Sequence, residues 1–319
     1  MNYTLKKYKL KKKPLIILGT IIFFILILLF GINKYKTYIY HQTTEYKLLT
    51  RGYSQKEIDL LKKELDKASY ERLIEEKKNN DLLNILGEKY YISANRQAYL
   101  DYQKRNKEKS PKEIISIVNV YAHNEFYEIS FDTKLEDYTT IVNKFYRLPD
   151  SYAPSDIVNI ATQYAYEGNS IRQIVYDSYK QMWSAALKDG HNLIVTSGYR
   201  SEESQKNIYN NYENSRGIEY ADSIAARPSY SEHQTGLALD ILVPGVKAAD
   251  FQSTQSYQWL ITNAHKYGFI LRYPEGKENI TGYTYESWHY RYLGEEIATA
   301  VYNEGITYDE YYAYYLNKN

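Results

Sequence analysis

The chain has 319 residues, with 40 Lys+Arg against 39 Asp+Glu and no cysteine. That length leaves room for one core of ordinary size plus appendages. The missing cysteine excludes disulfides, Cys-ligated metals and a Cys nucleophile.

At the amino terminus, Lys6, Lys7, Lys9, Lys11, Lys12 and Lys13 precede an apolar run from Leu15 to Ile32, interrupted only by Gly19, Thr20 and Gly31. About 20 apolar residues span a bilayer as a helix. The positive-inside rule keeps the lysines cytoplasmic and puts everything after Asn33 outside. A cleaved signal peptide is the competing reading. The length of the run, with no small-residue cleavage site after it, favours an uncleaved anchor. We therefore expect a cytoplasmic basic tail over residues 1–13 and a single transmembrane anchor over 14–33. Taking those six lysines from the 40 basic residues leaves 34 against 39 acidic ones, about −5. That balance argues against a nucleic-acid partner, which needs a basic face.

Residues 34–112 read as helical and polar, an extracellular stalk or module. Ser54-Gln55-Lys56-Glu57 forms a capping box ahead of Ile58, Leu60, Leu61 and Leu65. Ser110-Pro111-Lys112-Glu113 forms a second, with Pro at the first helical position. Between them Leu73, Ile74, Leu82, Leu83, Ile85 and Leu86 make short apolar stripes among charges. A partner-binding helix bundle is the alternative, and nothing local identifies a partner.

Residues 113–319 mix helices and strands. Ser170-Ile171-Arg172-Gln173 reads as the cap of a helix carrying Ile171, Ile174, Val175, Met182 and Ala186 and ending at Gly190. Leu193-Ile194-Val195 reads as a buried strand leading into Ser197-Gly198-Tyr199-Arg200. Ser201 then caps a helix with Gln205 on its second turn. A further helix covers about 254–267 and stops at Gly268, before a strand Phe269-Ile270-Leu271. Thr307-Tyr308-Asp309-Glu310 opens a short last helix. The order is not a regular βαβ alternation, so the expected fold class is α+β, a small antiparallel sheet flanked by helices.

The segment Tyr230–Asp240, with Glu286-Ser287-Trp288-His289 downstream, carries the chemistry. His233, Asp240 and His289 supply two imidazoles and a carboxylate able to hold one zinc ion. Catalytic zinc sites use three such ligands and keep a fourth position for water. Glu286, three residues before the last ligand, is placed to take that water's proton and hand it to a leaving amine. His233 and Asp240 are an odd number of residues apart, so a strictly regular strand would point them to opposite faces. They converge only if His233 sits in a turn and Gly236 bends the chain into a strand Gly236–Val243. By the same argument Glu286 belongs in a loop and His289 on a strand Trp288–Tyr292. His41, His123, His191 and His265 have no partner pattern around them and read as surface or hydrogen-bonded histidines.

The pattern S-x-H-x-x-G-x-A-x-D followed by E-x-W-H is met here by Ser231, His233, Gly236, Ala238 and Asp240, then Glu286, Trp288 and His289. It resembles the VanY-like D-alanyl-D-alanine carboxypeptidases, the LAS group of zinc peptidases that trim peptidoglycan stems. Ser197-Gly198-Tyr199-Arg200-Ser201 with Gln205 resembles the family's S-x-Y-R-S stretch. Val142-Asn143-Lys144 through Leu148-Pro149, Tyr152, Pro154 and Asp156 resembles the start of its catalytic domain. The resemblance covers about residues 117–305 and implies a LAS/hedgehog-like fold with one Zn2+. The implied reaction removes the terminal D-alanine from peptidoglycan stem peptides, with D,D- or L,D-specificity open. On this resemblance Glu286 would act as base, Arg200 would offer its fork of donors to the oxyanion, and Ser231 would contact the substrate carboxylate. Gln205 and Tyr199 are expected to bind substrate, and Trp288 to pack beneath the site. An endopeptidase of the same wall is the runner-up. A non-catalytic wall-binding module is the reading from another class, against which the intact Glu286 argues.

Overall fold

A computed structural model describes residues 12–317, so Lys6, Lys7, Lys9 and Lys11 of the expected basic tail lie outside the described residues. Two compact units divide the chain, one ending at Lys89 and one beginning at Tyr90.

In the first unit, helix α1 (Lys12–Gln42) contains a stretch, Ile16–Gln42, long and apolar enough to cross a bilayer. Leu18, Phe23, Phe24, Leu28 and Phe30 are all exposed along it, so no protein core claims this apolar surface. The helix outruns the apolar segment by about ten residues, roughly 15 Å at 1.5 Å per residue. Helices α2 (Thr44–Thr50), α3 (Gln55–Glu64), α4 (Lys67–Arg72) and α5 (Asn80–Leu86) follow. The capping box at Ser54 is formed: Ser54 N donates to Glu57 Oε2 at 2.7 Å, and Glu57 N donates to Ser54 Oγ at 3.3 Å. Leu48, Tyr53, Ile58, Leu61, Tyr70, Leu73, Leu82, Leu83, Ile85 and Leu86 are buried, and they give this unit a small core.

The second unit opens with α6 (Arg96–Arg105) and α7 (Pro111–Asn119), the latter capped by the box at Ser110. It begins ahead of residue 113 because Asn119 on α7 donates to Tyr90 O at 2.9 Å and the Tyr99 hydroxyl donates to Asn119 Oδ1. Short pairs come next: β1 (Phe131–Asp132) parallel to β2 (Tyr146–Arg147), and β3 (Ile157–Asn159) antiparallel to β4 (Ser170–Arg172). Ser170 therefore does not cap a helix. Its backbone belongs to a strand paired with β3, its carbonyl accepts from Tyr199 N at 2.6 Å, and helix α8 starts only at Gln173.

After α8 (Gln173–Lys188) the order is β5 (Ile194–Ser197), α9 (Glu202–Arg216), α10 (Ile218–Ile224), β6 (Ala238–Leu242), α11 (Ala248–Phe251), α12 (Gln255–Asn263), β7 (Phe269–Leu271), α13 (Glu278–Thr281), β8 (His289–Tyr292), α14 (Gly294–Glu304) and α15 (Tyr308–Tyr311). Four strands form an antiparallel sheet in the order β5-β6-β8-β7, flanked by helices as an α+β fold requires. Val175, Tyr179, Met182 and Ala186 recur at helical spacing on α8 and bury against Val195, Leu237, Leu239, Ile241, Phe269 and Tyr290. Each such aliphatic or Phe side chain contributes roughly 1.5–3 kcal/mol on leaving water. A second cluster of Ile141, Ile270, Leu293, Ala298, Val301 and Tyr308 packs α14 and α15 onto the unit.

Candidate active site

Three loops and two strands converge at one end of the sheet. The first loop follows β5, where a Cβ on Gly198 would lie 2.2 Å from Ser170 O. Only glycine permits that approach. Gly198 O in turn accepts from His233 Nδ1 at 2.7 Å, which leaves Nε2 of that ring turned toward the cluster. His233 sits in a short 3-10 turn, Glu232–Thr235, that ends at Gly236 with φ +64°. A side chain there would also meet Arg172 and Ile157 at 2.8 Å, so the expected bend at Gly236 has both a conformational and a steric cause.

Beyond the bend, β6 carries Asp240 and β8 carries His289, and the two are direct partners in the sheet register. Partners in register share a face. Asp240 Oδ1 lies 3.3 Å from His289 Nδ1 and 3.5 Å from His233 Nε2. The imidazole planes stand at 86°, centroids 4.9 Å apart. One ligand atom from each residue falls within 4.8 Å of the others. Among the described residues Asp240 Oδ1 accepts no hydrogen bond, although it is buried. A sealed, ionised oxygen without a donor is costly. Two imidazole nitrogens and that oxygen fit a divalent cation with a taste for mixed N/O ligands.

Glu286 lies in the loop before β8, its N–H donating to Tyr273 O at 3.1 Å and its Oε2 3.6 Å from His289 Nδ1. Burial, opposed by His289 and assisted by the charge of Asp240, pushes its carboxyl up to about 7. Burial alone would raise Asp240 too, but His233 and His289 hold it well below the usual carboxylate range. Burial and the nearby Arg200 lower His233. Burial also pulls His289 down, yet the nearby carboxylates of Asp240 and Glu232 win and raise it to about 9.

Arg200 donates from one terminal nitrogen to Gln205 Oε1 at 2.8 Å and from the other to Ser197 Oγ at 2.9 Å. Gln205, fully buried on α9, donates to Ala226 O at 2.7 Å. Gln205 thus holds the guanidinium against the loop after α10. Arg200, Gln205, Ser231, Asp240, Glu286, Trp288 and His289 line one cavity, walled by Ile208, Ile224, Ala225, Tyr273 and Tyr283. Tyr199 does not line it; with Ser151, Tyr152 and Glu202 it lines a separate cleft. Trp288 also packs against the main core. His191 and His265 stand outside the cluster, facing Ser256 Oγ and Thr299 Oγ1 at 3.2 Å each.

Sequence reasoning passed over Glu232. Its Oε2 lies 3.3 Å from His289 Nε2, and its Oε1 accepts from Arg272 at 2.7 Å and Arg291 at 2.8 Å. Arg272 continues to Asp309 at 2.5 Å, which Asn143 also contacts at 2.7 Å. Each of these charged side chains is buried. Glu232 stands inside the S-x-H motif, but its arginines lie 40 and 59 residues away, and no local signal announces them.

A His/Asp/His cluster on a small antiparallel sheet, with a buried carboxyl beside it, defines a LAS-type peptidase fold. Residues 168–295 match the family model described as VanY, D-alanyl-D-alanine carboxypeptidase. The Bacillus subtilis (strain 168) protein called putative carboxypeptidase YodJ is 42% identical over 184 residues, covering 56% of this chain and 67% of its own length. A D-alanyl-D-alanine carboxypeptidase of Enterococcus faecalis (strain ATCC 700802 / V583) is 39% identical over 141 residues, covering 41% of this chain and 52% of its own. The solved LdcB LD-carboxypeptidase, whose structure is described as revealing peptidoglycan recognition, aligns with TM-score 0.52 and 42% identity over 54% of this chain and 84% of its own. The chain belongs to the VanY D-alanyl-D-alanine carboxypeptidase family, and it is an enzyme of carboxypeptidase type.

Proposed function

We propose that this protein is a zinc-dependent carboxypeptidase that removes the terminal D-alanine of peptidoglycan stem peptides, held at the outer face of the membrane by α1. The observation that carries the reading is Asp240 Oδ1, buried without a hydrogen bond between two imidazole nitrogens and beside Glu286. His233, Asp240 and His289 would hold the ion. When bound, zinc supplies charge stabilisation and acidifies water, from 15.7 toward about 7.

The other steps fall to the chain's own side chains. Glu286 accepts the proton of the attacking water and returns it to the departing amine. A carboxyl raised to about 7 suits both directions of that transfer near neutral pH. Arg200, presented by Gln205 and Ser197, meets the charge that develops on the scissile carbonyl oxygen. Ser231 faces the same cavity, where it would meet the peptide's terminal carboxylate. The cavity is about 210 Å³, below the roughly 300–1,000 Å³ of sites for larger ligands.

For the membrane, the exposed apolar stretch of α1 and the six lysines ahead of Leu15 support a single pass with the amino terminus inside. Mass spectrometry of defined pentapeptide and tetrapeptide muropeptides, incubated with the zinc-loaded full chain, tests the function. Loss of one alanine from the pentapeptide marks D,D-activity, and loss from the tetrapeptide marks L,D-activity. Cleavage of neither refutes the proposal.

A further inference from the structure

Lys144 is a buried ammonium that the reaction does not use. It is 2% exposed, and its Nζ donates to Asp222 O and, at 2.5 Å, to Gly282 O. The same nitrogen lies 4.4 Å from the ring centroid of Tyr283, 4.9 Å from that of Phe126 and 5.6 Å from that of Tyr127. No carboxylate pairs with it among the described residues; both oxygens of Asp222 are taken by Arg227, at 2.9 and 2.8 Å. Burial lowers the ammonium's pKa to about 8. Two carbonyls and three ring faces offset that cost.

The two carbonyls belong to separate segments of the cavity rim. Asp222 on α10 precedes Ile224, Ala225 and Ala226, which line the cavity, and Gly282 precedes Tyr283, which lines it as well. A long bond from Thr284 N to Ser223 O, 3.4 Å, joins the segments directly. Tyr127 adds a weaker bridge, its hydroxyl 3.4 Å from Arg227 N and 3.5 Å from the Tyr283 hydroxyl. Gly282 has φ +78°, and a Cβ there would lie 2.8 Å from Phe126 and 2.9 Å from Lys144 Cδ, so the lysine is packed tightly against this segment.

We propose that Lys144 is a positioning residue that clamps the rim segments 222–226 and 282–286 together and thereby sets how tightly the cavity holds the terminal residue of the peptide. The clamp rests on the reading of this cavity as the peptide site. Glu286 keeps its own anchors at Tyr273 O and beside His289, so the clamp acts on binding more than on turnover.

The test compares wild type and Lys144→Met as zinc-loaded full chains in detergent micelles. Amide exchange in segments 222–226 and 282–286 should rise at least about tenfold, as expected when an opening equilibrium loses a buried tie. On the cleaved muropeptide, KM should rise about fivefold to tenfold with kcat within about twofold, the signature of lost binding. Zinc content should not change. Unchanged exchange in either segment overturns the clamp, as does faster exchange with an unaltered KM. A wild-type chain that cleaves no peptide would defeat the reading of the cavity, while the exchange measurement still decides the clamp. If Lys144→Met does not fold, Phe126→Leu removes one cage wall and leaves the ammonium. Faster exchange over 282–286 with a raised KM then supports the clamp, and wild-type values of both overturn it.

Discussion

Both imidazole nitrogens of His289 face a carboxylate: Asp240 Oδ1 stands 3.3 Å from Nδ1, and Glu232 Oε2 stands 3.3 Å from Nε2. An acceptor on the far nitrogen of a ligating histidine fixes its tautomer and raises its basicity, and losing it typically costs 10–100-fold in metal affinity. Glu232→Gln should weaken zinc binding by about that factor, measured by competition with a chromophoric chelator. Wild-type affinity in this variant would remove Glu232 from any role in tuning the ligand.

The same residue predicts a dependence on acid. Burial would raise Glu232, but Arg272 and Arg291 hold it well below the usual carboxylate range. Its folded-state pKa is therefore depressed, and its contribution to stability is present above the ordinary value of 4.5 and lost as pH falls below it. Melting temperatures of the metal-free chain should fall steeply below that pH, and less steeply in Glu232→Gln.

His233→Ala, Asp240→Ala and His289→Ala should each purify with little zinc, because one missing ligand leaves the cage incomplete. Elemental analysis of the three variants checks this. Full occupancy in all of them would refute the ligand set.

Glu286→Gln keeps size and hydrogen-bonding atoms but cannot take a proton. Zinc content should stay near wild type while turnover falls by roughly 10²–10⁴. Arg200→Lys should also keep the metal yet lose rate, since an ammonium does not reproduce the guanidinium fork. A Glu286→Gln enzyme at wild-type speed would end its role as base.

Zinc uptake should release protons. In the metal-free chain His289, raised to about 9, carries its proton at neutral pH, while His233 is lowered and Asp240 is ionised. Binding at pH 7 should therefore expel about one proton, and affinity should rise by about tenfold per pH unit until near pH 9. Calorimetry in buffers of different ionisation enthalpy reads the proton count.

Two odd spacings in the sequence were enough to put His233 in a turn, Glu286 in a loop and Asp240 and His289 on strands, and each lies there. Such features are legible because a bend at Gly236 and the period of a strand are local. Ser170 misled for the complementary reason. Ser170-x-x-Gln173 satisfies a helix-capping pattern, but its backbone partners come from Asn159 and Tyr199, which no local window contains. Glu232, Arg272, Arg291 and Asp309 were invisible in the same way, since their meaning is in one another's company.

Gly198 and Gly190 look alike in the sequence and should behave as opposites in a saturation library selected for activity. At Gly190 the backbone has φ +91° with nothing within 4 Å of a Cβ, so the demand is conformational and asparagine should be recovered there. At Gly198 a Cβ would sit 2.2 Å from the carbonyl of Ser170, whose strand and loop cannot part without releasing the acceptor of His233. Every substitution there carries the same first carbon, from alanine to tryptophan. The expected tolerance profile at 198 is thus a single letter, with no graded series by size or polarity.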